Sequence, residues 1–96
     1  MSFVDSLTWH VMDATADDWE SLEQILPHGR QFHGPVELVE AAALVVRLIA
    51  EGLMEEMQHQ AVDPHDVAED PMDYWFRMTP LGRSFWETEG AKYRDE

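Results

Sequence analysis

The stretch "YWFRMTPLGRSFWE", Tyr74 to Glu87, decides how this chain folds. Its first half alternates. Tyr74, Phe76 and Met78 fall on one side, and Trp75 and Arg77 on the other, which predicts a strand over 74–79. Thr79-Pro80 then offers a cap followed by a proline suited to a first helical turn. Leu81, Phe85 and Trp86 supply the apolar face of a closing helix, and the tail "GAKYRDE" (90–96) is expected to fray.

A strand needs a partner. "LMEEMQHQ" (53–60) has alternating character and reads as the other half of an antiparallel ribbon. Between the two, "AVDPHDVAEDPMD" (61–73) holds two Pro and five acids and reads as a loop. Upstream, a helix is expected from Pro35 or Val36 to about Glu51, stopped by Gly52. Its polar residues Glu37, Glu40, Arg47 and Glu51 fall on one narrow stripe together with Leu44. The rest is Ala, Val, Leu or Ile, so this helix is expected at the centre of a core or of a subunit contact. Residues 27–35, with two Gly and two Pro, read as a loop. Before it, a helix over about 17–26 buries Trp19, Leu22, Ile25 and Leu26, capped by Thr15 or Asp17. A first helix over 3–15 places Phe3, Leu7, Val11 and Ala14 near one face.

The predicted order is therefore helix, helix, helix, strand, strand, helix. Residues 1–96 are expected to form a single domain, mostly α with a small β-ribbon. The apolar share is 45%, with four Trp, four Phe and two Tyr, enough for a modest core. Cysteine is absent, so disulfides and thiolate metal sites are excluded. The start lacks the pattern of a signal peptide, and no window approaches the roughly 18 apolar residues of a membrane span. A soluble cytoplasmic protein is the expectation, with no membrane partner.

Two segments carry a family resemblance. "VVRLIAEGLMEEM" (45–57) has Arg47-Leu48, a few residues, then Gly52-Leu53; "FRMTPLGRSFWE" (76–87) has Thr79, Pro80, Gly82 and Arg83. Together, in this order and spacing, they resemble the end of the recognition helix and the wing of MarR-like regulators, a winged helix-turn-helix family. The resemblance covers about 45–87 and implies a winged-helix fold. It also implies DNA binding by the third helix in the major groove, with the wing touching the backbone.

The charge opposes that function. Twenty Asp and Glu stand against six Lys and Arg, a net charge of −14. A duplex carries one negative charge per ~1.7 Å, and its binders neutralise phosphates with Lys and Arg. Like charges repel over about a Debye length, roughly 8 Å at physiological salt. Segment 36–73 alone holds ten acids and one Arg. The candidate partner-binding residues are accordingly the helical stripe Glu37, Glu40, Leu44, Arg47 and Glu51, and the acidic wing Asp63, Asp66, Glu69, Asp70 and Asp73. Trp75 joins them because it points off the face of Tyr74 and Phe76, and interfaces favour Trp.

His59, His65, Asp63 and Asp66 carry imidazole and carboxylate groups that suit zinc, nickel or manganese, but their spacing matches no strong signature. His28 and His33, each beside a glycine, offer less. No metal and no cofactor are expected. Catalysis has no foothold either: there is no Cys, no nucleophile elbow around Ser2, Ser6, Ser21 or Ser84, and no glycine-rich phosphate loop. The expected function is an acidic winged-helix module for protein–protein interaction or regulation, with a protein partner of basic character and a homodimeric state; nucleic acid is not the expected partner. The alternative is a dimeric DNA-binding transcriptional regulator in which Arg30, Arg47, Arg77 and Arg83 assemble a local basic patch.

Overall fold

The computed structural model describes residues 6–16, 18–33, 36–60 and 62–94. In chain order they form α1 (Ser6–Asp13), α2 (Leu22–His33), α3 (Leu38–Ala50), β1 (Met54–Glu56), α4 (Pro64–Glu69), a 3-10 turn (Pro71–Asp73), β2 (Phe76–Met78) and α5 (Pro80–Arg94). The fold is mostly helical with a small antiparallel ribbon, as the sequence predicts. The expected first turn at 3–5, the Asp17 cap and the Pro35 helix start lie outside the described residues.

The ribbon pairs Met54 with Met78, Glu55 with Arg77 and Glu56 with Phe76. Met54, Phe76 and Met78 face inward and are buried, while Glu55 and Arg77 meet on the outer side at 3.2 Å. Phe76 is fully buried, a contribution of roughly 1.5–3 kcal/mol from transfer alone. Its backbone is paired on both sides. Opposite Glu56, Glu20 exchanges two hydrogen bonds with Phe76, at 2.8 and 2.9 Å.

α3 ends in a Schellman motif. Gly52 adopts φ 77°, its N–H donates to Ile49 O, and the Leu53 N–H donates to Leu48 O. Its inner face, Ala41, Ala42, Val45 and Leu48, is buried against α1, α2 and α4. The small alanines let those neighbours approach closely. One cluster of buried side chains joins α1, α2, α3, α4 and both strands. No helix among the described residues is long and apolar enough to cross a membrane.

Five local expectations are corrected. Residues 18–21 are not helical; Thr15 closes α1 by donating to Met12 O at 2.8 Å, and α2 begins after Ser21. Ser21 and Gln24 set that start, because the Gln24 side chain accepts the Ser21 N–H at 2.9 Å, as in a capping box. The expected loop at 27–35 is helical as far as His33. Pro27 removes one backbone donor, but buried Ile25 and Gly29 and the half-buried Leu26 hold the turn against the core. The strand expected over 53–60 stops at Glu56, whose buried carboxylate accepts the Gln58 and Gln60 N–H groups and turns the chain away. The expected loop at 61–73 contains α4 and the 3-10 turn: Asp63 caps α4 by accepting from the His65 N–H at 2.9 Å, Pro64 opens its first turn, and Val67 is fully buried. The tail expected to fray continues α5 as helix to Arg94.

Candidate functional site

The α3 stripe runs from the N-cap Glu37 to the C-cap Glu51. Glu37 is the N-cap, and its N–H is accepted by the Glu40 side chain at 3.4 Å. Glu40, Leu44 and Arg47 line an open groove with Leu7 of α1 and Ala43. Arg47 is not presented outward as a lone cation. Its guanidinium donates to Thr8 Oγ1 at 3.1 Å and pairs with Glu51 at 3.4 Å.

The other arginines whose side chains are described are engaged in the same way. Arg30 donates to Val36 O at 3.1 Å. Arg77 pairs with Glu55 and lies 4.4 Å from the centre of the Trp19 ring, a cation–π contact. Arg83 donates to Ala16 O at 2.7 Å and stands 5.8 Å from the Trp86 ring. Arg77 and Arg83 do line one hollow with Thr15, Asp18, Trp19 and Met78. Arg30 and Arg47 are not part of it.

The acids of the second group are all exposed: Asp63, Asp66 and Glu69 on and before α4, and Asp70 and Asp73 around the 3-10 turn. Among the described residues none of the five pairs with Arg or Lys; Glu69 meets only His65, at 3.4 Å and one helical turn away. Asp66, Asp70 and Asp73 lie near Tyr74. Burial, then the carboxylates of Asp66, Asp70, Asp73 and Glu56, push its hydroxyl above the ordinary value of 10.0.

Trp75 precedes β2, which starts at Phe76 rather than at Tyr74 as expected, and its indole N–H donates to Met72 O at 3.1 Å. It borders an open hollow with Asp18, Trp19 and Met57. Trp19 was expected in the core. It is half-buried instead, because residues 18–21 run beside β2 rather than coiling.

The histidine and aspartate residues of 59–66 do not converge. His59 sits at φ 54° on the turn after β1, and His65 leans toward Glu69. The residues that do converge are His10 and Asp13 of α1 and His28 of α2, one ligand atom of each lying within 4.8 Å of the others. Sequence reasoning missed this group. The spacing of His10 and Asp13, three residues on one helical face, was the signal available.

No family model matches the chain, and no curated protein or solved structure matches it.

Proposed function

We propose that the chain is a winged-helix scaffold used for protein–protein interaction or regulation, and that it presents the acidic ridge of α4 and the 3-10 turn to a basic protein segment. The order of helices and strands supports the scaffold. The observation that carries the partner class is a separation of charge. Every arginine whose side chain is described is bound within the chain, while Asp66, Glu69, Asp70 and Asp73 lie open to water. Such a surface draws cationic partners by long-range attraction and repels phosphate backbones. A cytoplasmic setting suits a chain without cysteine. The reading includes pairing of two copies along the exposed face of α3, where Val39 is 58% exposed.

The test is titration of the full chain with a Lys/Arg-rich peptide, followed by tryptophan emission at several salt concentrations. Binding should weaken as salt rises and be lost when Asp66, Glu69, Asp70 and Asp73 are changed to their amides. Binding that ignores those four changes, or no binding at low salt, removes the proposal. Light scattering decides the pairing of copies separately.

One observation favours duplex binding as a second reading: Arg77 and Arg83 share a hollow. Duplex captured at low salt and released by Arg77→Ala, Arg83→Ala or Arg47→Ala would establish it in place of the first.

A further inference from the structure

His10 and Asp13 are three residues apart on α1, so their side chains share a face. That face meets α2, where His28 completes a group of two imidazoles and one carboxylate. The His28 Nε2 and the Asp13 Oδ2 stand 3.0 Å apart, and the rings of His10 and His28 are centred 6.1 Å apart. The other oxygen of Asp13 is fixed from α5, where the Trp86 indole N–H donates to Oδ1 at 3.1 Å. Trp86 is itself held, stacked on Trp9 at 6.0 Å and accepting the Trp9 indole N–H on its carbonyl. Trp9 in turn meets the His10 ring edge-on at 5.1 Å. An outer layer of this kind orients ligands and is what a metal centre requires beyond the ligands themselves.

An Asp–His ion pair would account for Asp13 and His28 alone. It does not account for a third donor, His10, brought within 4.8 Å of both from a position only 9% exposed. The side chains of Asp13 and His28 are 26% and 27% exposed, so an ion can reach the group from water while His10 anchors it inside. Zinc binds nitrogen and carboxylate oxygen at about 2.0–2.2 Å, so tetrahedral ligand atoms lie roughly 3.3–3.5 Å apart. The Asp13–His28 edge, at 3.0 Å, is close to that length, and the edges to His10, within 4.8 Å, would shorten when an ion binds. Two imidazole donors disfavour magnesium and calcium, which take oxygen ligands.

We infer that His10, Asp13 and His28 form a binding site for a divalent first-row transition ion, zinc being the ion that fits best, with water at the fourth position. The site is distinct from the acidic ridge and does not depend on its proposed partner.

The test uses the full chain, stripped with a chelator and titrated with zinc by calorimetry in excess magnesium. One ion per chain is expected, with tryptophan emission changing in step because Trp9 and Trp86 border the ligands. His28→Gln and Asp13→Asn should each weaken binding roughly tenfold or more, while His59→Gln and His65→Gln leave it unchanged. Imidazole NMR shifts of the unaltered chain read the same site without a substitution: the His10 and His28 rings should move on adding zinc, and those of His59 and His65 should not. No stoichiometric binding overturns the inference. So does binding that survives both ligand substitutions, or ring shifts confined to His59 and His65.

Discussion

Gly82 lies flush against the backbone of Leu53: a Cβ placed on it would stand 2.7 Å from the Leu53 carbonyl carbon and closer still to the oxygen. Around that contact the ends of α3 and α5 are tied together. The Thr79 hydroxyl donates to Gly52 O at 2.6 Å and accepts the Gly82 N–H at 3.0 Å, and the Thr79 N–H donates to Leu53 O at 3.1 Å. Of the residues that carry the family resemblance, Gly52, Leu53, Thr79 and Gly82 therefore form one joint, while Arg47-Leu48 and Arg83 lie outside it. The work of the joint is packing and capping. Such roles carry no information about DNA.

Gly82→Ala should consequently destabilise the chain. Helix propensity alone would favour alanine by about 1 kcal/mol. The obstacle is backbone rather than a flexible side-chain tip, so relief requires α5 to move off the ribbon. Overpacking costs about 1–3 kcal/mol where side chains can yield, and here the upper end or more is expected. Urea unfolding should show a lower midpoint with an unchanged slope. A midpoint at or above that of the parent would mean that α5 does not pack as described.

Gly29→Ala should do the opposite. Gly29 is buried in the interior of α2, but a Cβ there meets only Leu7 Cδ1, at 3.7 Å, an ordinary contact. Removing a helical glycine is then worth about 0.5–1 kcal/mol. The same unfolding measurement, run beside Gly82→Ala, gives opposite signs for one chemical change, and the two signs locate the close approach.

The contrast shows what the sequence could reveal. Thr79-Pro80 and Gly52 were readable because a cap followed by proline, and a glycine after an apolar run, have local causes. Asp63-Pro64 carries the same cap-and-proline signal as Thr79-Pro80. The surrounding acids suggested a loop, whereas buried Val67 makes it a helix. Ser21 and Gln24 also held a readable capping pair, masked by the richer acids of 17–20. Other features had no local signal. Glu20 joins β2 only because Phe76 offers its second edge from 56 residues further along the chain. The candidate ligand group likewise needed α1 and α2 to be packed before His28 could be placed beside Asp13. Glu37, Glu40 and Arg47 of α3 and the acidic ridge were legible as exposed polar positions; the internal engagement of Arg47 by Thr8 was not.

Tyr74 should titrate above the ordinary tyrosine value of 10.0, through burial first and the nearby carboxylates second. A hydroxyl whose folded pKa is raised holds its proton more tightly in the native state, so the contribution is complete below pH ~10 and is lost as pH rises through the folded value. Tyrosinate absorbance should rise late for Tyr74 relative to an unfolded control. Asp70→Asn together with Asp73→Asn should bring the transition part of the way back, because burial remains. A Tyr74 transition at the unfolded position would contradict the placement of these acids.

α4 is a docked connection, not a solvated one. Val67 is fully buried on α4, whereas Asp66 and Glu69 on the same helix are exposed. Val67→Ala removes the equivalent of two methylenes from a packed site, a loss of about 2 kcal/mol including the space left behind. Asp66→Ala and Glu69→Ala should stay within about 0.5 kcal/mol of the parent, since exposed positions rarely matter and an exposed Glu69–His65 pair contributes little. If residues 61–73 were only a charged loop, all three substitutions would be equally silent in urea unfolding. A selective effect of Val67 would show that the acidic ridge is held rigidly on α3, and a rigid ridge loses less conformational entropy when a basic segment binds it.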